Sequence, residues 1–201
     1  MKHVNFLILF MLAIMLMSPC ANARDGVLDI QEVTSDSGIT AWLVEDHSIP
    51  VISVKLAFRH AGSINDTIDK QGLARQTASM LTQGAGSYDA TAFQKRLADH
   101  SISLGFSVDR DNLVGSLKTL TKYQDQAFEM LQLALMQPGF HEDDLKRLVA
   151  AGQDRIRSSL TDPDWMAARI ANDFAFEGHS YALNSGGTLS SLESLAPADF
   201  L

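Results

Sequence analysis

The chain has a single cysteine in 201 residues, Cys20. Neither an intramolecular disulfide nor a zinc-ribbon thiolate set can therefore form. No G-x-S-x-G elbow, glycine-rich phosphate loop, C-x-x-C pair or H-E-x-x-H helix occurs. The common local signatures of nucleophilic, phosphate-binding, redox and zinc chemistry are thus missing. Six histidines are present (His3, His47, His60, His100, His141, His179), and no two lie three to five residues apart. No helix carries a pair of imidazoles on one face, so each histidine reads as a surface or loop residue. Basic residues are also scarce, 16 against 24 acidic for a net charge of −8, which argues against a nucleic-acid surface. The uninterrupted apolar run Phe6–Met17 is 12 residues long, too short to cross about 30 Å of hydrocarbon as a helix.

What is present fits a globular exported protein. The chain is 46% hydrophobic and 20% charged, which is neither a disordered nor a multi-span membrane composition. Its length suits one domain, or somewhat more, with a core that needs no covalent staple. Lys2, the run Phe6–Met17, the break at Ser18-Pro19 and the A-x-A site Ala21-Asn22-Ala23 make residues 1–23 a signal peptide. Cleavage after Ala23 starts the mature chain at Arg24, removes Lys2 and Cys20, and takes the charge from −8 to −9. A lipid anchor at Cys20 is a second reading that Pro19 fits poorly. The short signal points to a bacterial periplasm, with no membrane attachment after cleavage.

Along the mature chain, Ile30–Ser35 and Ile39–Glu45 flank the turn Asp36-Ser37-Gly38 as a hairpin. In Val51–Arg59, Ile52, Val54, Leu56 and Phe58 alternate with polar residues, as in a half-buried strand. A helix over Gly72–Gln83 stops at Gly84-Ala85-Gly86. Asp89 then caps the next helix, with Tyr88 and Phe93 as its hydrophobic staple. Ser101–Val108 and Leu113–Leu120 form a second hairpin about Asp109–Asn112. Thr121 and Gln124 read as a capping box, and helices follow over about His141–Leu160 and from Asp162-Pro163 to near Gly178. Hairpins followed by helices predict an α+β fold, an antiparallel or mixed sheet packed against helices.

Several segments in order resemble a known family. They are the VEDH-IP turn, the V-S-V-x-L strand, R-x-A-G-S, the G-L-A helix start and G-A-G-S-Y-D-A, then Pro138-Gly139-Phe140, Thr161–Asp164 and Gly178–Tyr181. Over about residues 30–201 the chain resembles the N-terminal domain of the insulinase/pitrilysin (inverzincin) peptidases. The resemblance implies that residues 24–201 are such a domain, cut near its C-terminal end and without the second domain. The family's zinc site is an H-x-x-E-H on the helix beginning G-L-A, with a glutamate from a later helix as third ligand. At the matching positions this chain has Arg75, Ala78 and Ser79, and Arg155 stands where the third ligand is expected; Leu148 falls where the family often has a further acid.

Zinc needs deprotonated nitrogen, oxygen or sulfur donors, and an arginine stays protonated. Two guanidiniums about 5 Å apart repel by about 3 kcal/mol at an effective dielectric near 20. The implied pocket therefore excludes cations. Two readings of Arg75 and Arg155 stay open: solvated or salt-bridged helix residues, or contacts to an anion or carboxylate. The resemblance further implies a peptide paired with a sheet edge, for which Ser101, Ser103, Gly105 and Ser107 are the candidates. An ordinary half-exposed strand is the competing reading.

The expected function is that of a non-catalytic subunit of an exported insulinase-like zinc peptidase. It would contribute peptide binding and chamber closure to a catalytic HxxEH-bearing partner, with no cofactor of its own and zinc only in that partner. The alternatives are an active zinc metalloendopeptidase with non-standard ligands, and a stand-alone peptide-binding or assembly protein.

Overall fold

The structure is a computed structural model that describes residues 29–200. The expected signal peptide, its cleavage site and Cys20 lie outside the described residues. The chain divides into two compact units, with the boundary between Ile49 and Pro50.

In the first unit, β1 (Ile30–Thr34) and β2 (Thr40–Val44) pair antiparallel with Ile30 opposite Val44 and Thr34 opposite Thr40. Gly38, at φ +84°, closes the turn, a conformation open to glycine at little steric cost.

The second unit holds a three-stranded antiparallel sheet in the order β3-β7-β6, with β3 at Val51–Arg59, β6 at Ser103–Val108 and β7 at Asn112–Leu120. Alternation places one face of the sheet inward. Val54 and Leu56 of β3, Leu104 and Phe106 of β6 and Leu117 of β7 pack around a core of Phe93, Leu97, Ile102, Ala127, Met130, Leu131 and Ala134. That core is closed by α2 (Ala90–Asp99) and α3 (Gln124–Met136). Gly115 leaves the space that the Phe106 ring fills, for a Cβ there would stand 3.0 Å from Phe106 Cε1. The hairpin β4 (Gly84–Ala85) and β5 (Tyr88–Asp89) leads into α2. Asp89 Oδ1 accepts from the Ala92 amide at 2.7 Å, as its N-cap position requires.

A second group of helices carries the rest of the unit: α1 (Leu73–Met80), α4 (Glu142–Ser159), α5 (Pro163–Ala175) and α6 (Leu189–Glu193). Helix α1 packs against both β6 and α4, and α4 against α6. Asp162 caps α5 with Pro163 in its first turn, accepting from the Asp164 and Trp165 amides at 3.0 and 3.4 Å. Among the described residues no helix is long and apolar enough to cross a membrane.

Three sequence expectations are corrected. Thr121 lies in a 3-10 turn (Thr121–Tyr123), and α3 starts at Gln124 behind Tyr123 with no side-chain cap, so there is no Thr121/Gln124 capping box. Ser101 is not part of the edge strand. It sits at φ +51° in the turn after α2, and its amide donates to the Ala98 carbonyl at 3.1 Å before β6 begins at Ser103. Phe58, placed on the inward face by alternation, is 42% exposed because it lies near the end of β3 beyond the reach of the core.

Candidate functional site

The residues at the expected zinc-site positions are held on α1, which starts without a capping side chain of its own. Its first residue follows Gly72, at φ +90°. The cap comes from six residues upstream: Asp66 accepts from the Gly72 amide through Oδ2 at 2.9 Å and from the Ala74 amide through Oδ1 at 3.0 Å. Burial raises the Asp66 carboxyl above its ordinary value, against the pull of those two amides. The helix interior is stitched by its own hydroxyls. Thr77 Oγ1 donates to the Leu73 carbonyl at 2.9 Å, and Ser79 Oγ to the Arg75 carbonyl at 3.1 Å. The hydroxyl proton of Ser79 is therefore committed within its own turn.

Arg75 is half-buried on α1 and Arg155 is exposed on α4. They line one small cavity of about 190 Å³ between α1 and α4, together with Gln76, Gly152, Trp165 and the loop Asn184–Gly186. Ala78 is 3% exposed and, like Ser79, is not in that lining. Neither guanidinium makes an ion pair or a side-chain hydrogen bond with any described residue. Four other arginines are paired: Arg96 with Glu129, Arg147 with Asp144, Arg157 with Asp154 and Arg169 with Asp173.

The cavity rim is fixed from several sides. The Asn184 amide donates to Gln71 Oε1 at 2.8 Å, and Asn184 in turn accepts from the Gly186 amide at 3.0 Å and the Gly187 amide at 2.8 Å. Gly187, at φ +86°, lies so near Leu192 and the Gln71 carbonyl that a Cβ would stand 2.6 and 2.8 Å from them. The segment leading to this loop is anchored by Arg110. Its guanidinium donates to the Tyr181 carbonyl and, at 2.7 Å, to Asn172 Oδ1, and lies 5.0 Å from the Tyr181 ring centroid. The Tyr181 hydroxyl donates to Asp111 at 2.7 Å, which raises its pKa.

The donor set does not fit zinc. Two guanidiniums, a buried methyl group and a helix-committed hydroxyl occupy the positions in question. Among the described residues no group of three or more histidine, cysteine, aspartate or glutamate side chains could hold a metal ion. A larger groove of about 480 Å³ runs along α4 past Leu145, Val149 and Leu195. On its charged rim Lys146 lies 2.8 Å from Glu142, and Arg157 lies 2.8 Å from Asp154.

Strand β6 lies at one edge of its sheet, beside α1. Ser103 and Ser107 are exposed and alternate with the half-buried Leu104 and Phe106, placing Ser103, Gly105 and Ser107 on one face. Sequence reasoning missed Gln76, Trp165, the Asn184–Gly186 loop and the Arg110 anchor. For Trp165 a signal existed, since Asp162-Pro163 sets its place in the first turn of α5. The segment around Tyr181 stands out in the sequence only as part of the resemblance, and nothing local marks Arg110 as its partner.

The family described as Insulinase (Peptidase family M16) matches residues 41–179. A curated relative, the "Non-peptidase homolog YmxG" of Helicobacter pylori (strain ATCC 700392 / 26695), is 27% identical over 151 residues, 75% of this chain and 35% of the relative. The chain thus spans about a third of that protein's length. A crystal structure titled as the peptidase M16 inactive domain from Pseudomonas fluorescens matches with TM-score 0.80 at 23% identity, over 86% of this chain and 42% of that one. Pitrilysin matches with TM-score 0.70 at 22% identity, over 87% of this chain and 19% of that one. These folds carry the same α+β arrangement of antiparallel sheet and helices. The chain belongs to the insulinase family, Peptidase family M16.

Proposed function

We propose that this chain is a non-catalytic member of an exported insulinase-like peptidase assembly, which binds peptide and helps close the chamber of a zinc-bearing, HxxEH-containing partner subunit. One observation carries the reading. On a complete helical scaffold, the positions expected to bind the metal hold Arg75, Ala78, Ser79 and Arg155, and none of these is a zinc donor in that setting. The names of two relatives, a "non-peptidase homolog" and an "inactive domain", support it.

Peptide binding is assigned to the edge of β6. Ser103, Gly105 and Ser107 offer small side chains there, so an extended peptide can approach the backbone and add a strand. Zinc chemistry belongs to the partner, and export to residues 1–23.

The test is reconstitution. The exported chain is mixed with an HxxEH-bearing homologue from the same organism, and cleavage of a quenched peptide is followed with and without a chelator. Chelator-sensitive cleavage is expected from the mixture, to be lost when the glutamate of the partner's HxxEH is replaced by glutamine, and is not expected from this chain alone. Cleavage by this chain alone, or partner activity indifferent to its presence, overturns the proposal.

A further inference from the structure

The cavity shared by Arg75 and Arg155 has features that a merely solvated pair of arginines would not require. In a chain with 24 acidic and 16 basic residues, an arginine has many possible carboxylate partners, and Arg96, Arg147, Arg157 and Arg169 have found theirs. Arg75 and Arg155 have none among the described residues, yet they come from different helices to one cavity. A second, independent observation lies between them. Gln76 is 5% exposed, lines the same cavity, and its side-chain amide forms no hydrogen bond with any described residue. Its amide atoms are not among the sealed, unpartnered polar atoms of the described residues, which are Arg96 Nε and Thr119 Oγ1, so through the cavity they stay open to water or to a ligand's acceptor. Gly152 leaves room beside it, since a Cβ there would stand 3.1 Å from Gln76 Nε2.

The geometry points to a carboxylate on a short aliphatic stem as the ligand of this cavity: the side chain of a glutamate or aspartate in a bound peptide. A carboxylate accepts two parallel N–H bonds from a guanidinium fork, and the Gln76 amide offers further donors. Trp165 and Ile156 supply an apolar wall for the methylene stem. The volume, about 190 Å³, is below the roughly 300–1,000 Å³ typical of drug-sized ligands, and suits one side chain entering from a longer chain. The rim is set beforehand by the Gln71–Asn184 hydrogen bond at 2.8 Å and the turn from Asn184 to Gly187, so little ordering is left to binding. The β6 edge lies beside the same helix α1. The inference rests on the peptide-binding reading above for the carrier of the carboxylate, and on the cavity alone for the carboxylate itself.

The experiment uses the full exported chain carrying Trp42→Phe, which leaves Trp165 as the one tryptophan of the two in the sequence. Capped octapeptides with glutamate or glutamine at each position are titrated by anisotropy, and glutarate and inorganic phosphate by Trp165 fluorescence. A glutamate at one position is expected to tighten binding about tenfold over its glutamine counterpart. Arg75→Gln with Arg155→Gln should erase that difference, while Arg75→Lys with Arg155→Lys retains part of it, with the thermal midpoint unchanged in both. Glutarate is expected to shift Trp165 emission in the parent chain and not in the double glutamine variant. Equal affinity for acid and amide peptides overturns the inference and leaves the peptide-binding reading standing. Arg-dependent glutarate binding with no peptide binding supports the carboxylate cavity and removes the peptide carrier. Phosphate binding more tightly than glutarate overturns the carboxylate assignment.

Discussion

Between the sheet and helices α2 and α3, the central cluster is apolar throughout, with Phe93, Ala127, Met130 and Ala134 fully buried. Between α1 and α4 the buried positions include Gln76 and Ser191, and two unpaired guanidiniums face a cavity. The first region is built to exclude water. The second holds more polar groups at buried positions, with Ser191 Oγ donating to the Gln71 carbonyl at 2.8 Å and Gln76 lining the cavity, whereas the sealed polar atoms without a partner among the described residues, Arg96 Nε and Thr119 Oγ1, lie on α2 and β7. The sheet core is set by packing, whereas the cavity is set by the charge and polarity of the side chains that line it.

Four predictions probe that contrast. Phe93→Ala, at a fully buried position, is expected to cost about 3–5 kcal/mol in urea unfolding; a loss below about 1 kcal/mol would mean that the sheet core is not where stability resides. Arg110→Ala removes hydrogen bonds to Tyr181 and Asn172 and a ring contact, and is expected to cost about 2 kcal/mol. Amide exchange should rise over residues 181–187 and stay unchanged in β7; a rise in both would show that the two regions do not open separately.

The acid limb of stability separates two carboxylates of opposite sign. The hydrogen bond from Lys70, at 2.8 Å, holds Asp199 below its ordinary value, so its contribution is present above pH 3.8 and fades as pH falls through the lowered value. Burial raises Asp66, so its contribution is greatest below pH 3.8 and is lost as pH rises through the raised value. Asp199→Asn should therefore flatten the loss of stability in acid, whereas Asp66→Asn should steepen it. Unfolding midpoints measured between about pH 2 and 6 check both. The smallest effect is expected for Arg75→Ala and Arg155→Ala, within about 0.5 kcal/mol of the parent. A core-sized loss at either would make these side chains structural.

The strands were legible because alternation is a strong signal. Val51–Arg59 is one strand with the bounds the pattern suggests. Asp89 and Asp162 cap the helices that their positions predict. Thr121 misled because a hydroxyl three residues before Gln124 imitates a capping box, while the chain spends that turn as 3-10. Ser101 misled because a polar alternation continues across a left-handed turn that only the backbone reveals. The resemblance singles out Arg75 and Arg155, and the structure has both lining one cavity. The Gln76 amide, the Trp165 wall and the Gln71–Asn184 clasp could not be read from the sequence, because they join segments more than 70 residues apart through contacts with no local pattern.

The central claim, that this member of the family does not itself carry zinc-dependent catalysis, is tested most directly by elemental analysis of the purified exported chain, with peptide cleavage assayed on the same sample before and after chelation. The account predicts far less than one zinc per chain and no cleavage that a chelator removes. One zinc per chain, together with chelator-sensitive cleavage that Arg75→Ala leaves intact, would contradict it.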